Sequence, residues 1–430
     1  MKIVVQGLWH LGAVTAACLA DAGFDTTGLD SDSVTVERLK NAHPPLHEPG
    51  LPDLVAKGLA TGRLSFSTNK ALAEEADLVW VAFDTPVDEE DRADAAFVER
   101  QVEGLFPHLK DGSVVLISAQ LPVGTTRALA ARFAAVSGGR RIKFAYSPEN
   151  LRLGKAIEAF TRPDRIIVGT EDRQPSATLQ TVLNRFSDAL IWMSIESAEM
   201  VKHAINAFLA TSVTFINEIA VICESVGAQA SDVEEALRSE PRIGRKAYLK
   251  PGAAFAGGTL ARDVVFLGQL AQAHGITAPL IGSIIASNAA HRRWPLRRVS
   301  ERFNGDLRGR AVAVLGLSYK PGTDALRRSA SIELCRDLIK SGARVQAFDP
   351  VVKTLPPDLA PGVKLGSSVD EALEGTEAAV LATEWPEFRA IAPSAFTERM
   401  RDAFVVDQNG FLSDLAQARS GVAYAALGRG

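Results

Sequence analysis

The first thirty residues constrain the fold most. KIVV opens the chain with a β-branched run that reads as a buried strand. GLWHLG follows, then VTAACLADAG, an Ala-rich helix ended by Gly23, then FDTTGLD, a second strand closed by Asp30. Strand, glycine turn, helix and a second strand with a terminal acid together make a dinucleotide-binding βαβ unit. Gly7 supplies the tight turn and Gly12 the close contact between helix and strand. The amides at the helix start, over Trp9, His10 and Leu11, would hold a pyrophosphate. Asp30 would accept hydrogen bonds from the adenosine ribose and repel a 2′-phosphate, so NAD is expected over NADP. One residue departs from the G-x-G-x-x-G pattern. Trp9 takes the place of the middle glycine, where backbone should approach phosphate. The alternative is a Rossmann-like layer without nucleotide.

Length and charge bound the rest. A chain of 430 residues is too long for one ordinary domain and suggests two or three. Lys and Arg number 47 against 51 Asp and Glu, a net charge of −4. That balance offers no general attraction for nucleic acid or an anionic membrane, so phosphate binding must be local. No transmembrane helix is expected, and MKIVVQGLWHLG does not read as a signal peptide, because Gln6, Gly7 and His10 break its apolar run. Cys18, Cys223 and Cys335 are scattered through apolar, helix-like stretches, which suits buried reduced thiols and a cytosolic protein. No Cys/His cluster has metal-ligand spacing, and no metal is expected.

The chain reads in three parts: 1–195, 196–300 and 301–430. The first continues with strands in DLVWVAFDTP, SVVLISAQLP and KFAYSPE, each ending in polar or turn residues at the ligand edge of an α/β sheet. The second is helical. Residues 197–227 have no proline and are apolar nearly all round, as expected of a helix buried between domains or at a dimer interface. Lys202 and Asn206 share one of its faces. The third part loosely repeats the first: RAVAVLGLSYK is a strand running into a glycine turn, SIELCRDLIKSG a helix, and RVQAFDP a strand ending in Asp349. Lys320 and Arg327 flank that turn, a good place for phosphate. The fold class expected is α/β: two Rossmann-like doubly wound domains joined by a helical domain with one long helix.

Several motifs in order resemble the UDP-glucose/GDP-mannose dehydrogenase family: HEPGL (47–51), DTP (84–86), LPVGTT (121–126), SPENLRLG (147–154), SAEMVKHAINAFLA, FINEIAVICE, YLKPGAAFAGGTLARD (248–263), LGLSYKPGTDALRRS (315–329) and TEWPEF (383–388). The resemblance runs from residue 1 to about 410. It implies a soluble NAD-dependent enzyme that oxidises C6 of a nucleotide-linked hexose, with UDP-glucose the leading substrate, an N-terminal NAD domain, a central helical domain that makes a homodimer, and a C-terminal UDP domain. By the same resemblance Lys202 steadies an oxyanion, Asn206 is its hydrogen-bonding partner, Glu149 stands near the reacting carbon and its water, and Asp263 helps activate the site. Thr85, Pro86, Gln120 and Arg327 would meet the cofactor. Leu151, Tyr248, Leu249, Gly252, Phe255, Gly257 and Lys320 would meet the substrate, and Arg242 would reach the sugar across the dimer interface.

The family's nucleophilic cysteine position holds Thr259. Leu153 and Gln120 also depart, from a second glutamate and from a threonine near the reacting water. A thiol with an ordinary pKa near 8.5 is partly thiolate at neutral pH, whereas an alcohol needs an adjacent base. No histidine is placed by sequence to serve Thr259, and a threonine before an apolar helix is a favoured N-cap. Three chemistries stay open: four-electron oxidation through an aldehyde hydrate, a stop at the 6-aldehyde, or another substrate. A catalytically inactive nucleotide-sugar binder is the reading from a different class.

Overall fold

The computed structural model describes every residue except 87–93, Asn150, Gly257, 418–420 and Gly430. The chain divides into two compact units, Met1–Ile205 and Asn206–Gly430.

In the first unit eight strands form one sheet: β1 Lys2–Gln6, β2 Asp25–Leu29, β3 Leu64–Ser67, β4 Leu78–Val81, β5 Val114–Ile117, β6 Lys143–Tyr146, β7 Ile166–Thr170 and β8 Leu190–Ser194. Their order is β3-β2-β1-β4-β5-β6-β7-β8. All pairs are parallel except β6 with β7, which are antiparallel. The first six strands therefore have the doubly wound order expected of a dinucleotide-binding sheet. Apolar β-branched residues make β1, β4 and β5 buried on both faces, as a parallel sheet covered by helices requires. The helix His10–Asp21 is buried from His10 to Ala20. Its small side chains let it press onto β1, and Gly12 lets it press closest, because a Cβ there would collide with the carbonyl oxygen of Gly7.

The second unit has a six-stranded parallel sheet: β9 Ala311–Leu315, β10 Arg344–Phe348, β11 Val363–Leu365, β12 Ala378–Leu381, β13 Phe404–Asp407 and β14 Ala423–Ala426. Its order, β11-β10-β9-β12-β13-β14, repeats the first six strands of unit one. The repeat seen loosely in the sequence is thus a repeat of topology.

One helix, Ile195–Val226, is long and apolar enough to cross a membrane by length and composition, contrary to the expectation that no stretch would be. Its polar residues argue for packing within the chain instead. Glu199 and Lys202 bond to groups of the first unit, and Asn206, Asn217, Glu218 and Glu224 to groups of the second. The boundary between the units falls inside this helix. Phe208, Phe215 and Ile222 of this helix are 70%, 47% and 55% exposed.

Candidate functional site

The cofactor turn of the first unit is built by close backbone contacts. Gly7 has φ +89° and donates its N–H to the Leu29 carbonyl at 2.9 Å. A Cβ at Gly7 would lie 2.6 Å from the Phe83 ring, so glycine is required there by both conformation and space. Leu8 donates its N–H to Asp30 Oδ2 at 2.7 Å, and Asp32 donates to Asp30 Oδ1 at 2.9 Å. Asp30 is half-buried and keeps acceptor capacity for a ligand hydroxyl. Trp9 is the residue before the helix and is 49% exposed, so its indole is not packed into the turn. A cradle that a Cβ would fill, a helix N-terminus and an acid at the end of β2 fit a dinucleotide.

Two residues at the helix start make contacts that the sequence did not show. His10 turns its ring into the protein, where Nε2 lies 3.0 Å from Glu48 Oε2. The Leu11 amide donates to Asp84 Oδ2 at 3.0 Å. Thr85 and Gln120 are brought together across neighbouring strand ends, Thr85 Oγ1 donating to the Gln120 carbonyl at 2.9 Å, and Pro86 follows, exposed.

Glu149 stands just beyond β6, where the parallel part of the sheet ends. Lys202, nearly buried, donates to the Glu149 carbonyl at 2.6 Å and reaches its Oε1 at 3.2 Å. The other carboxylate oxygen accepts the Leu151 N–H at 2.9 Å. The pair is therefore a buried cation facing a half-buried carboxylate. Beside Leu11, Glu149 and Leu151 lies a cavity of about 80 Å³ that Trp80 and Phe160 also line. Ligand pockets measure roughly 300–1,000 Å³, so this cavity is too small for a nucleotide sugar.

Two buried carboxylates of this unit were not singled out by sequence. Glu48, in HEPGL, is 1% exposed and accepts His10, the Gly154 N–H at 2.7 Å and the Ala156 N–H at 2.8 Å. It ties the cofactor turn to the loop that follows Glu149. Burial works against its charge, but these donors prevail and hold its pKa below the usual range. Glu199 accepts the N–H groups of Gly124 at 2.5 Å and Thr126 at 2.9 Å, closing the LPVGTT turn. Burial holds its pKa above the usual carboxylate range, against the pull of those amides.

In the second unit, Asn206 Nδ2 donates to Asp263 Oδ2, and Asp263 is fully buried. Thr259 is the first residue of the helix Thr259–Ala273 and is exposed. The expected N-cap role of Thr259 is corrected: Gly258 occupies that position. Its φ of +113° suits glycine alone, and its carbonyl accepts the Arg262 N–H at 2.8 Å. A Cβ on Gly258 would press on the Arg328 guanidinium at 3.0 Å. Arg328, beside the sequence-assigned Arg327, is thus the arginine next to this turn. Lys320 and Arg327 are both exposed.

The loop before Thr259 is held by side chains reading its backbone. Asn217 accepts the Gly252 N–H at 3.0 Å, and the buried His291 ring lies 2.8 Å from the Gly252 carbonyl. Burial lowers the His291 pKa, so the ring is neutral at pH 7. Asn288 exchanges two hydrogen bonds with the backbone of Phe255 at 2.9 and 2.8 Å. Leu249 is buried and Tyr248 exposed. Arg242 reaches into solvent and pairs with Glu240 at 2.9 Å. Gly257 lies outside the described residues. Asn217, Asn288 and His291 were missed by sequence, though a polar residue on the buried face of an apolar helix is a signal of such a role.

The second unit carries its own copy of the acid after a strand, with a different outcome. Asp349 Oδ2 accepts Leu317 and Ser318 N–H at 2.7 and 3.0 Å and the Trp385 indole at 3.1 Å, while Oδ1 accepts Val351 and Val352. Five donors fill a buried carboxylate, leaving nothing for a ribose. The acids that follow β2 and β10 thus differ: Asp30 is open to a ligand and Asp349 is closed.

All three thiols are buried and unbonded to one another. Burial pushes Cys18 and Cys335 up to about 12, so neither is a thiolate at neutral pH. Among the described residues no group of three or more His, Cys, Asp or Glu could hold a metal ion.

A doubly wound sheet with a dinucleotide cradle at its first helix, followed by a lysine–carboxylate pair beyond β6, fits an NAD-linked oxidoreductase. The chain belongs to the UDP-glucose/GDP-mannose dehydrogenase family. Its NAD binding domain matches residues 1–187, its central domain residues 196–290 and its UDP binding domain residues 313–414. The UDP-glucose 6-dehydrogenase of Rhizobium meliloti is 34% identical over 436 residues, all of both chains. The structure of a UDP-glucose dehydrogenase from Pyrobaculum islandicum is 31% identical with a TM-score of 0.81, covering 99% of this chain and 98% of that one. A UDP-D-ManNAc dehydrogenase from Pyrococcus horikoshii shares the fold at 23% identity and a TM-score of 0.83, with both chains covered in full. The protein is accordingly a nucleotide-sugar dehydrogenase, and its cofactor is NAD.

Proposed function

We propose that the chain oxidises UDP-glucose at C6 to UDP-glucuronate without a covalent thioester. NAD, when bound, accepts hydride from C6, and the rest falls to the protein's own groups. Lys202 holds a positive charge where the C6 alkoxide develops. From the family resemblance we assign Asn206, fixed by Asp263, the role of a hydrogen-bond donor in this step. Glu149 takes a proton and orients the water that hydrates the aldehyde. The hydrate then loses its second hydride and a proton, giving the acid and, in all, two NADH per sugar. The observation that carries this reading is the pairing of Lys202 with Glu149 and of Asn206 with Asp263. A protein that only bound the sugar has little use for ionisable groups kept out of water.

Counting NADH per UDP-glucose consumed, with the product weighed, tests this. Two NADH and UDP-glucuronate are expected. One NADH and an aldehyde would favour the second reading, an enzyme that stops halfway, which the exposed and non-capping Thr259 makes worth testing. Thr259→Ala is expected to change the yield of NADH per sugar not at all and the rate by less than about threefold, since an alcohol without a base is a poor nucleophile. Loss of the second NADH in this variant alone would show that the hydroxyl takes part. Consumption of a different UDP-hexose in preference would move the substrate but keep the chemistry.

The three-part division, 1–195, 196–300 and 301–430, remains our functional division: cofactor, helix with its loop, and nucleotide. We place the enzyme in the cytosol, as three buried reduced thiols suggest, and expect a homodimer. Phe208, Phe215 and Ile222 recur every seventh residue along Ile195–Val226 and are exposed, an apolar stripe of the kind that a second copy covers. Phe215→Glu should leave a folded chain whose mass in light scattering is that of the monomer. A dimer of unchanged affinity would sink this interface, and a wild-type chain of monomeric mass would sink the role of Arg242 at a neighbour's site.

A further inference from the structure

The anion cradle of the first unit is occupied by the chain itself. Asp84 Oδ2 accepts the Leu11 N–H at 3.0 Å, and Leu11 lies in the first turn of His10–Asp21. Amides at that place, with the helix dipole behind them, favour negative charge. Asp84 therefore stands where a dinucleotide pyrophosphate is held. It comes from the end of β4, one residue before Thr85, so the same strand end that should receive the cofactor brings a competing anion. Although the residue is exposed at the sheet edge, protein crowds its carboxylate. That crowding raises its pKa, and Glu149 adds to the rise, while the Leu11 amide and His10 oppose it. Among the described residues, the ionisable groups facing it are His10, from the helix start and bonded to Glu48, and Glu149, from beyond β6 and paired with Lys202.

We infer that Asp84 and the cofactor pyrophosphate compete for the Leu11 amide, so that NAD binds with uptake of a proton by Asp84 and more weakly as pH rises. A protonated Asp84 no longer repels the pyrophosphate and can turn from acceptor to donor toward it. The bound pyrophosphate in turn favours the protonated acid. Linkage sets the form of the effect. Between the titration points of Asp84 in the free and the NAD-bound protein, affinity falls by up to about tenfold per pH unit, and outside that window it is flat.

The test is calorimetric titration of NAD into the full chain, across pH and in buffers of differing ionisation heat. Wild type should weaken toward high pH and take up a fraction of a proton, at most one, per NAD. Asp84→Asn should bind NAD more tightly than wild type at high pH, with no proton uptake and a flat profile. His10→Asn should keep the uptake. A wild-type affinity that is flat with no proton taken up would overturn the inference, without touching NAD binding itself. So would uptake that persists in Asp84→Asn, or that disappears in His10→Asn alone.

Discussion

Lys202→Ala should lower turnover at least about a hundredfold, the size of effect seen when one charge-stabilising donor is removed from an active site. NAD affinity should stay within about threefold. The reason lies in how Lys202 is held. Its ammonium donates to the Glu149 backbone at 2.6 Å and faces the Glu149 carboxylate at 3.2 Å, in a site with little solvent. A charge held in advance needs no rearrangement when negative charge forms on C6 oxygen, and low local dielectric magnifies its worth. Alanine removes that charge and leaves Glu149 alone. No backbone amide of the cofactor turn depends on Lys202, so NAD should still bind. Measuring kcat together with the calorimetric NAD affinity separates the two. A variant that keeps more than a tenth of wild-type turnover would refute the role, and one that loses NAD binding as well would point to a collapsed site.

Glu48→Ala should be the most damaging change to stability. Three donors converge on a carboxylate that is 1% exposed: the His10 ring and the amides of Gly154 and Ala156. Removing the acceptor strands the buried His10 ring and Ala156 amide at about 1–3 kcal/mol each, and frees the more exposed Gly154 amide. A total of roughly 3 kcal/mol or more follows, or a Tm lowered by about 6–12 °C for a domain of this size. Glu48→Gln, which keeps the shape but turns an NH2 toward an amide donor, should fall between. The pH dependence has a definite sign. Glu48 has a pKa held below its ordinary value in the fold. Its contribution is therefore present above the unfolded pKa of about 4.3 and is lost as pH falls through the lower folded value. Thermal unfolding between neutral pH and about pH 3 checks this: the gap between wild type and Glu48→Gln should close on acidification. A gap that widens as pH falls would contradict the assignment.

Much of the fold was legible because its signals are local. The β-branched run of β1, the alanines of His10–Asp21 and the acid after β2 each follow from the residue and its neighbours. So did the long helix and the second copy of the βαβ pattern. β3, β7, β8 and β11 to β14 were not read. β8 is only partly buried along its length, so its period carries little information. At the site, the pairings of Lys202 with Glu149 and Asn206 with Asp263 join residues 53 and 57 positions apart. Their types were visible, but their contacts were not. The cap at Thr259 was misread by one residue, since a threonine and a glycine both suit that position and only the backbone angle of Gly258 tells them apart.

By itself the sequence determined what depends on short range: which segments are strands or helices, that Gly7 and Gly12 must lack side chains, and that Asp30 and Asp349 each close a strand. Tertiary structure alone decided what those pieces do. It left Asp30 with two donors and open, and closed Asp349 with five. It turned His10 onto Glu48 and put Asp84 on the Leu11 amide. A residue's propensity is carried by its own side chain and nearest neighbours, whereas the state of a carboxylate depends on every donor that the folded chain brings to it.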